Sequence, residues 1–270
     1  MDTALTSFDY DRTRLDVRPL GTRTQDRIAK RLNVITTPLG ERRVAEIIRP
    51  EGDGPFAAIL YVHWYEPESS DSNRTQFQNE ATRMAQRGAI CLLVETLWSD
   101  RDFFLKRTQA DDYENSRRQV IELRQAMEVL LAEPGIDPHR FAYVGHDFGA
   151  MYGALTGSID PRPTHYVLMA GTPRFPDWYL YAPKLIGDAR QAFIETMTPL
   201  DPITHIAKLS PAPILFQFAT DDPHVPKERA QAFFDVAGEP KEIRWYSAGH
   251  GLNEQVTQER IEWISQQLHL

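Results

Sequence analysis

The sequence predicts an α/β fold: a mainly parallel, eight-stranded sheet with flanking helices and a short lid. Three observations carry this. Short apolar runs alternate with segments of helical periodicity, the pattern of covered strands joined by crossover helices. The alternation runs from residue 32 to the end of the chain with no internal repeat. Two strand-like runs with a tight turn between them precede it and place an antiparallel pair at one edge.

That pair is LNVITTP and RVAEIIRP, separated by Pro38-Leu39-Gly40. FAAILYV then reads as a strand buried on both faces. Residues 74–88 set Phe77, Ala81, Met84 and Ala85 at helical spacing, with Gly88 as the stop. AICLLVE is the next strand, and its Cys91 reads as a packing residue rather than a reactive thiol. Val120, Leu123, Met127, Leu130 and Leu131 form one stripe of a helix ended by Glu133-Pro134-Gly135. RFAYVG is a strand and DFGAMYGALTG the helix after it. THYVLMAG, APILFQFAT and EIRWYSA supply three more strands, with helices at ERAQAFFDVAG and EQVTQERIEWISQQL. Residues 172–210, rich in Pro, Trp and Tyr, are too long for an ordinary connection and form the expected lid. One domain is expected over 32–270, and residues 1–31 read as a polar segment laid over its surface.

With 270 residues, 25% charged and 41% hydrophobic, the chain can bury a core without a disulfide or metal. A net charge of −8 argues against nucleic acid as the main partner. No signal peptide or membrane-spanning run is visible, so a cytoplasmic protein acting on a small molecule is expected, with a homodimer left open. The histidines show no tight ligand spacing, so neither a metal nor a cofactor is expected.

The chemistry centres on Gly145-His146-Asp147-Phe148-Gly149, at the junction of a strand and a helix. That context suits a nucleophile elbow, whose glycines permit a sharp turn that lifts the central side chain above the sheet. Asp221-Asp222-Pro223-His224-Val225-Pro226 follows one later strand and Gly249-His250-Gly251 the next. Nucleophile, acid and histidine then stand at three strand ends, in that order. Here the sequence resembles the α/β-hydrolase family from residue 32 onward. LSPAPILFQFATDDPHVP, the hairpin and SAGHG resemble the dienelactone hydrolase and prolyl-oligopeptidase-like branch, whose D-x-x-V-P setting implies Asp222 as the acid. VGHDFGA is similar instead to the elbow of epoxide hydrolases and dehalogenases.

An aspartate is already ionised near neutral pH and is suited to displacement at a saturated carbon, giving an ester on Asp147. Water activated by His250, itself held by Asp222, would hydrolyse that ester. The expected oxyanion donors are the N–H groups of Phe148 and Trp64, although relatives usually carry glycine where Trp64 stands. His63 and Glu95 are candidate substrate contacts, with loop bracing and an arginine ion pair as the competing roles. In the lid, Trp178, Tyr179 and Tyr181 are candidates, the two tyrosines sharing one side of an extended segment and donating to an epoxide oxygen. A cofactor-independent epoxide hydrolase is the leading expectation. A dehalogenase, an esterase or dienelactone-type hydrolase with an atypical nucleophile, and a non-catalytic binding protein are the alternatives.

Overall fold

A computed structural model describes residues 8–69 and 71–270. Residues 1–7 of the expected N-terminal surface segment lie outside them. The strands are β1 (Asp16–Gln25), β2 (Ile28–Thr36), β3 (Arg42–Pro50), β4 (Phe56–Val62), β5 (Ala89–Val94), β6 (Ile136–His146), β7 (His165–Met169), β8 (Ile214–Ala219) and β9 (Lys241–Tyr246). They form one sheet in the order β1-β2-β3-β5-β4-β6-β7-β8-β9. The first three pairings, through β3 with β5, are antiparallel and the rest parallel.

The helices are α1 (Gln78–Gln86), α2 (Phe103–Lys106), α3 (Asp112–Leu131), α4 (Phe148–Ile159), α5 (Pro176–Tyr179), α6 (Gly187–Met197), α7 (Lys227–Asp235) and α8 (Glu254–Gln267). Two apolar layers follow from the two-residue strand period. Ala58, Leu60 and Val62 of β4 face α3, α4 and α7, whereas Ala57, Ile59 and Tyr61 face α1 and α8. Strands covered on both sides need no polar face, which is why their runs are continuously apolar.

The sheet has nine strands among the described residues, not eight, because β1 lies within the segment expected to be a surface covering. Most of β1 is exposed, so no apolar alternation marks it. It is tied to β2 through Asp26 and Arg27, both at positive φ, and a register shift beside Pro19 interrupts it. Proline, arginines and irregular pairing make it a guarded edge. The part before it packs on α3: Phe8 is buried, its carbonyl accepts from Arg124, and the Tyr10 hydroxyl donates to Glu128 Oε1 at 2.7 Å. No helix among the described residues is long and apolar enough to cross a membrane.

The segment between β7 and β8, where the lid was expected, folds into α5, α6 and short 3₁₀ turns. It is latched to the body by Arg107, which is buried in a two-bond pair with Asp112 at 3.0 and 2.8 Å and donates to the carbonyls of Tyr179 and Ala182 at 2.7 and 2.8 Å.

Candidate active site

Asp147 joins β6 to α4 at φ 54°, ψ −113°, outside the ordinary regions for a residue with a side chain. The surroundings hold it there: its N–H donates to the Met169 carbonyl at 2.8 Å, and its own carbonyl accepts from Met151 at 3.0 Å. Both flanking glycines are required by close backbone approach. A Cβ on Gly145 would strike the Gly149 backbone, and one on Gly149 would strike the Val62 carbonyl.

β8 carries Asp222 just beyond its end, and the loop after β9 carries His250. His250 Nδ1 donates to Asp222 Oδ2 at 2.8 Å, while Asp222 Oδ1 accepts the N–H groups of His224 and Val225 at 2.8 and 3.1 Å. The acid is thus fixed by backbone donors and in turn fixes the imidazole. His250 Nε2 faces Asp147 Oδ2 at 4.0 Å. Neither His250 Nε2 nor Asp147 Oδ1 has a hydrogen-bond partner, and both are buried. Unpartnered buried polar atoms are uncommon, and here two belong to side chains that face each other.

The electrostatics follow from burial. Asp147 is 2% exposed, and loss of solvation raises its pKa to about 7. The nearby His250 charge and the amides of Phe148 and Tyr65 oppose that rise. For His250, burial disfavours the charge, but the bond to Asp222 and the charges of Asp147 and Asp222 outweigh it and raise the pKa. Asp222 shows the reverse balance: burial raises its pKa, and His250 and two amides bring it below the usual range.

Besides that of Phe148, the amide that lowers the Asp147 pKa is that of Tyr65, and the expected Trp64 amide is not among them. The Trp64 N–H is already used, donating to Gln76 Oε1 at 3.1 Å. Gln76 Nε2 reaches His146 Nδ1 at 2.6 Å, and His146 Nε2 reaches the His250 carbonyl at 2.9 Å. Burial lowers the His146 pKa, so the ring is neutral, accepting at Nδ1 and donating at Nε2. One relay therefore ties the loop after β4, the elbow and the loop of His250 together. Gln76 lies in a turn just before α1 and carries no sequence signal of this role.

The cavity above Asp147 is about 350 Å³ and is lined by Trp64, Tyr65, Phe104, Phe148, Trp178 and His224, among others. Trp178 lies where the lid was expected to contribute, its ring centroid 5.7 Å from that of His250. Tyr181 also lines the cavity and is 62% exposed. Tyr179 does not. Its hydroxyl lies 2.8 Å from that of Tyr152 and 3.3 Å from Ser116 Oγ, in the core. The expectation of a tyrosine pair assumed an extended chain, whereas Tyr179 ends α5 and Tyr181 lies in the turn that follows it, its N–H donating to the Trp178 carbonyl at 2.9 Å, so the two side chains diverge.

Glu95 and His63 lie outside the cavity lining as well. Glu95 Oε2 accepts the Val44 N–H at 2.6 Å, extending the β3–β5 edge. His63 is buried, its pKa lowered to about 4 by that burial. Its Nδ1 lies 2.8 Å from the Trp64 carbonyl, and its Nε2 2.9 Å from Ser99 Oγ and 3.1 Å from Thr96 Oγ1. It braces the loop after β4. Glu66, which sequence reasoning passed over, does line the cavity. No group of three or more His, Cys, Asp or Glu side chains suited to a metal occurs among the described residues.

Beneath the site, Arg260 of α8 is buried between Glu80 of α1, with bonds of 2.9 and 2.5 Å, and Gln217 Oε1 at 2.9 Å. It joins helix to helix and both to β8, directly under the strand ends that carry the site.

No family model and no curated protein matches the chain. Solved structures do. An acetyl xylan esterase from Paenibacillus sp. R4 superposes with TM-score 0.81 at 15% identity, over 98% of this chain and 92% of its own. Acetyl xylan esterase 1 from Thermoanaerobacterium sp. JW/SL YS485 gives 0.81 at 14% identity, over 98% and 93%. A Klebsiella pneumoniae protein assigned as a dienelactone hydrolase gives 0.65 at 17% identity, over 90% and 98%. With a mostly parallel sheet, antiparallel strands at one edge and helices on both faces, the chain has the α/β-hydrolase fold.

Proposed function

We propose that the chain is a hydrolase that displaces a leaving group from a saturated carbon through a covalent ester on Asp147. The observation that carries the reading is the side chain on the strained elbow: a carboxylate, backed by amides of Phe148 and Tyr65 and faced by a histidine held by Asp222. The fold neighbours, two of them acetyl xylan esterases, support a hydrolase of some kind.

Asp147 attacks the carbon, the C–O bond of the ester forms, and the leaving group departs with its electron pair. His250, neutral, takes a proton from water, which adds to the ester carbonyl carbon. The resulting oxyanion is stabilised by the two amides. Collapse expels the alkoxide, which takes a proton from His250 and leaves as an alcohol.

An epoxide is the first substrate class, because Tyr181 stands in the cavity lining as a phenol able to protonate the departing oxygen. An alkyl halide is the second reading. It is favoured by the Trp178 indole N–H, which is buried without a partner beside His250.

The test is intact-protein mass spectrometry of His250→Gln exposed to 1,2-epoxyhexane, 1-bromohexane and 4-nitrophenyl acetate. A stable adduct mapping to Asp147 with the epoxide or the bromide is expected. Absence of any adduct with both, or an acyl adduct from the acetate alone, would overturn the reading.

A further inference from the structure

A second cleft, of about 510 Å³, adjoins the catalytic cavity, and the two share Trp178, Tyr181 and His224 in their linings. Pro176, Leu180, Leu185, Ile186, Pro223 and Pro226 give it apolar walls. Lys184, Arg190 and Arg229 also line it, and Asp177 is the lone carboxylate among its lining residues. This is a local excess of positive charge on a chain of net charge −8.

That excess is not neutralised from within. Asp177 lies 3.5 Å from Arg229, and its Oδ2 is buried without a hydrogen-bond partner. Burial raises its pKa against the lowering influence of Arg229, Arg174 and Arg190. Lys184 and Arg190 make no ion pair or side-chain hydrogen bond among the described residues, and Arg190 acts on Asp177 only at longer range. A trough of mixed polar and apolar lining, carrying two cations without an ion-pair partner and adjoining the cavity that holds Asp147, is complementary to an apolar chain ending in an anion.

We propose that the substrate of the Asp147 site is such a molecule: an alkyl chain with the reactive carbon at one end and a carboxylate or phosphate at the other. The reacting end enters the cavity above Asp147. The chain crosses Trp178 and Tyr181, and the anion is held by Lys184 and Arg190, with Arg229 shared between it and Asp177. This inference deepens the proposed function and rests on it for the reacting end alone; the anion subsite stands on the cleft.

Two experiments separate the parts. In the first, His250→Gln is alkylated by 8-bromooctanoate and by 1-bromooctane, with the rate read from intact mass. The acid is expected to react faster, and the acid-to-neutral ratio to fall about tenfold or more when Lys184→Gln and Arg190→Gln are added, since each removes a charge-assisted bond. An unchanged ratio would overturn the subsite. The second uses the parent chain and no chemistry: octanoate and octyl phosphate are titrated calorimetrically. Binding weakened by the double substitution and by added salt supports the subsite, and the tighter of the two ligands identifies the anion. Failure of both ligands to bind, or binding indifferent to the substitutions, would overturn it. If no bromide alkylates Asp147 yet octanoate binds as described, the covalent mechanism falls and the anion subsite remains. Lys184 and Arg190 are exposed and unpaired, so their substitution leaves the core intact.

Discussion

Replacing Asp147 by asparagine is expected to stabilise the fold, and by an amount that depends on pH. The carboxyl is raised from 3.8 to about 7 by burial. Between those values the folded chain keeps this proton while the unfolded chain has lost it, so folded protein binds more protons and its stability falls as pH rises through the window. Below about pH 4 the penalty is absent; above about pH 7 it is complete. Three units correspond to roughly 4 kcal/mol. That net shift already contains the attraction to His250, so about 3–4 kcal/mol is to be gained by the variant at pH 8. Asparagine is isosteric, tolerates the positive φ, and has no charge to desolvate. Asp147 Oδ1 has no partner to lose. Urea unfolding of parent and variant, followed by tryptophan fluorescence between pH 4 and 8, measures the difference at constant m. The variant's advantage should grow with pH, mostly between 4 and 7. Parallel stability curves, or a variant less stable at pH 8, would show that the carboxylate is not desolvated as described. A growing advantage would mark the native residue as a stability cost retained for its chemistry.

The same shift makes the rate of Asp147 alkylation rise with pH through about 7, as the carboxyl loses its proton; single-turnover rates flat from pH 5 to 8 would contradict it. Gln76→Leu cuts the relay from Trp64 through His146 to the His250 carbonyl and should slow ester hydrolysis about 10–100-fold while sparing alkylation, visible as a larger burst before steady state. Arg260→Met leaves Glu80 buried and unpaired and should cost about 3–5 kcal/mol, with most of the loss recovered by adding Glu80→Gln. Tyr179→Phe should cost about 1 kcal/mol of stability and leave epoxide opening intact, because its hydroxyl serves Tyr152 and Ser116; a large kinetic effect would place that phenol at the reacting centre after all.

Much of the frame was legible in the sequence because it depends on short-range pattern. Continuous apolar runs such as FAAILYV mark strands buried on both faces, and the stripe through Val120, Leu123, Met127 and Leu130 marks a helix, whatever the rest of the chain does. The Gly145–Gly149 turn and the strand ends before Asp222 and His250 follow from local order along the chain, and a parallel sheet gathers such ends at one edge. β1 was hidden because a strand with neither face buried carries no alternation. What only the tertiary structure decided is where each polar group spends its hydrogen bonds. Trp64 was the expected oxyanion donor, but Gln76, twelve residues later, takes its N–H, and the amide that lowers the Asp147 pKa from that loop is Tyr65. Tyr179 was assigned to the cavity, but one turn of helix turns it toward Tyr152 and Ser116. Glu80 and Arg260, 180 residues apart, find each other only when α1 and α8 pack on the same face. Periodicity records which side of an element is buried; the partner of a buried donor depends on what the rest of the chain brings within 3 Å of it.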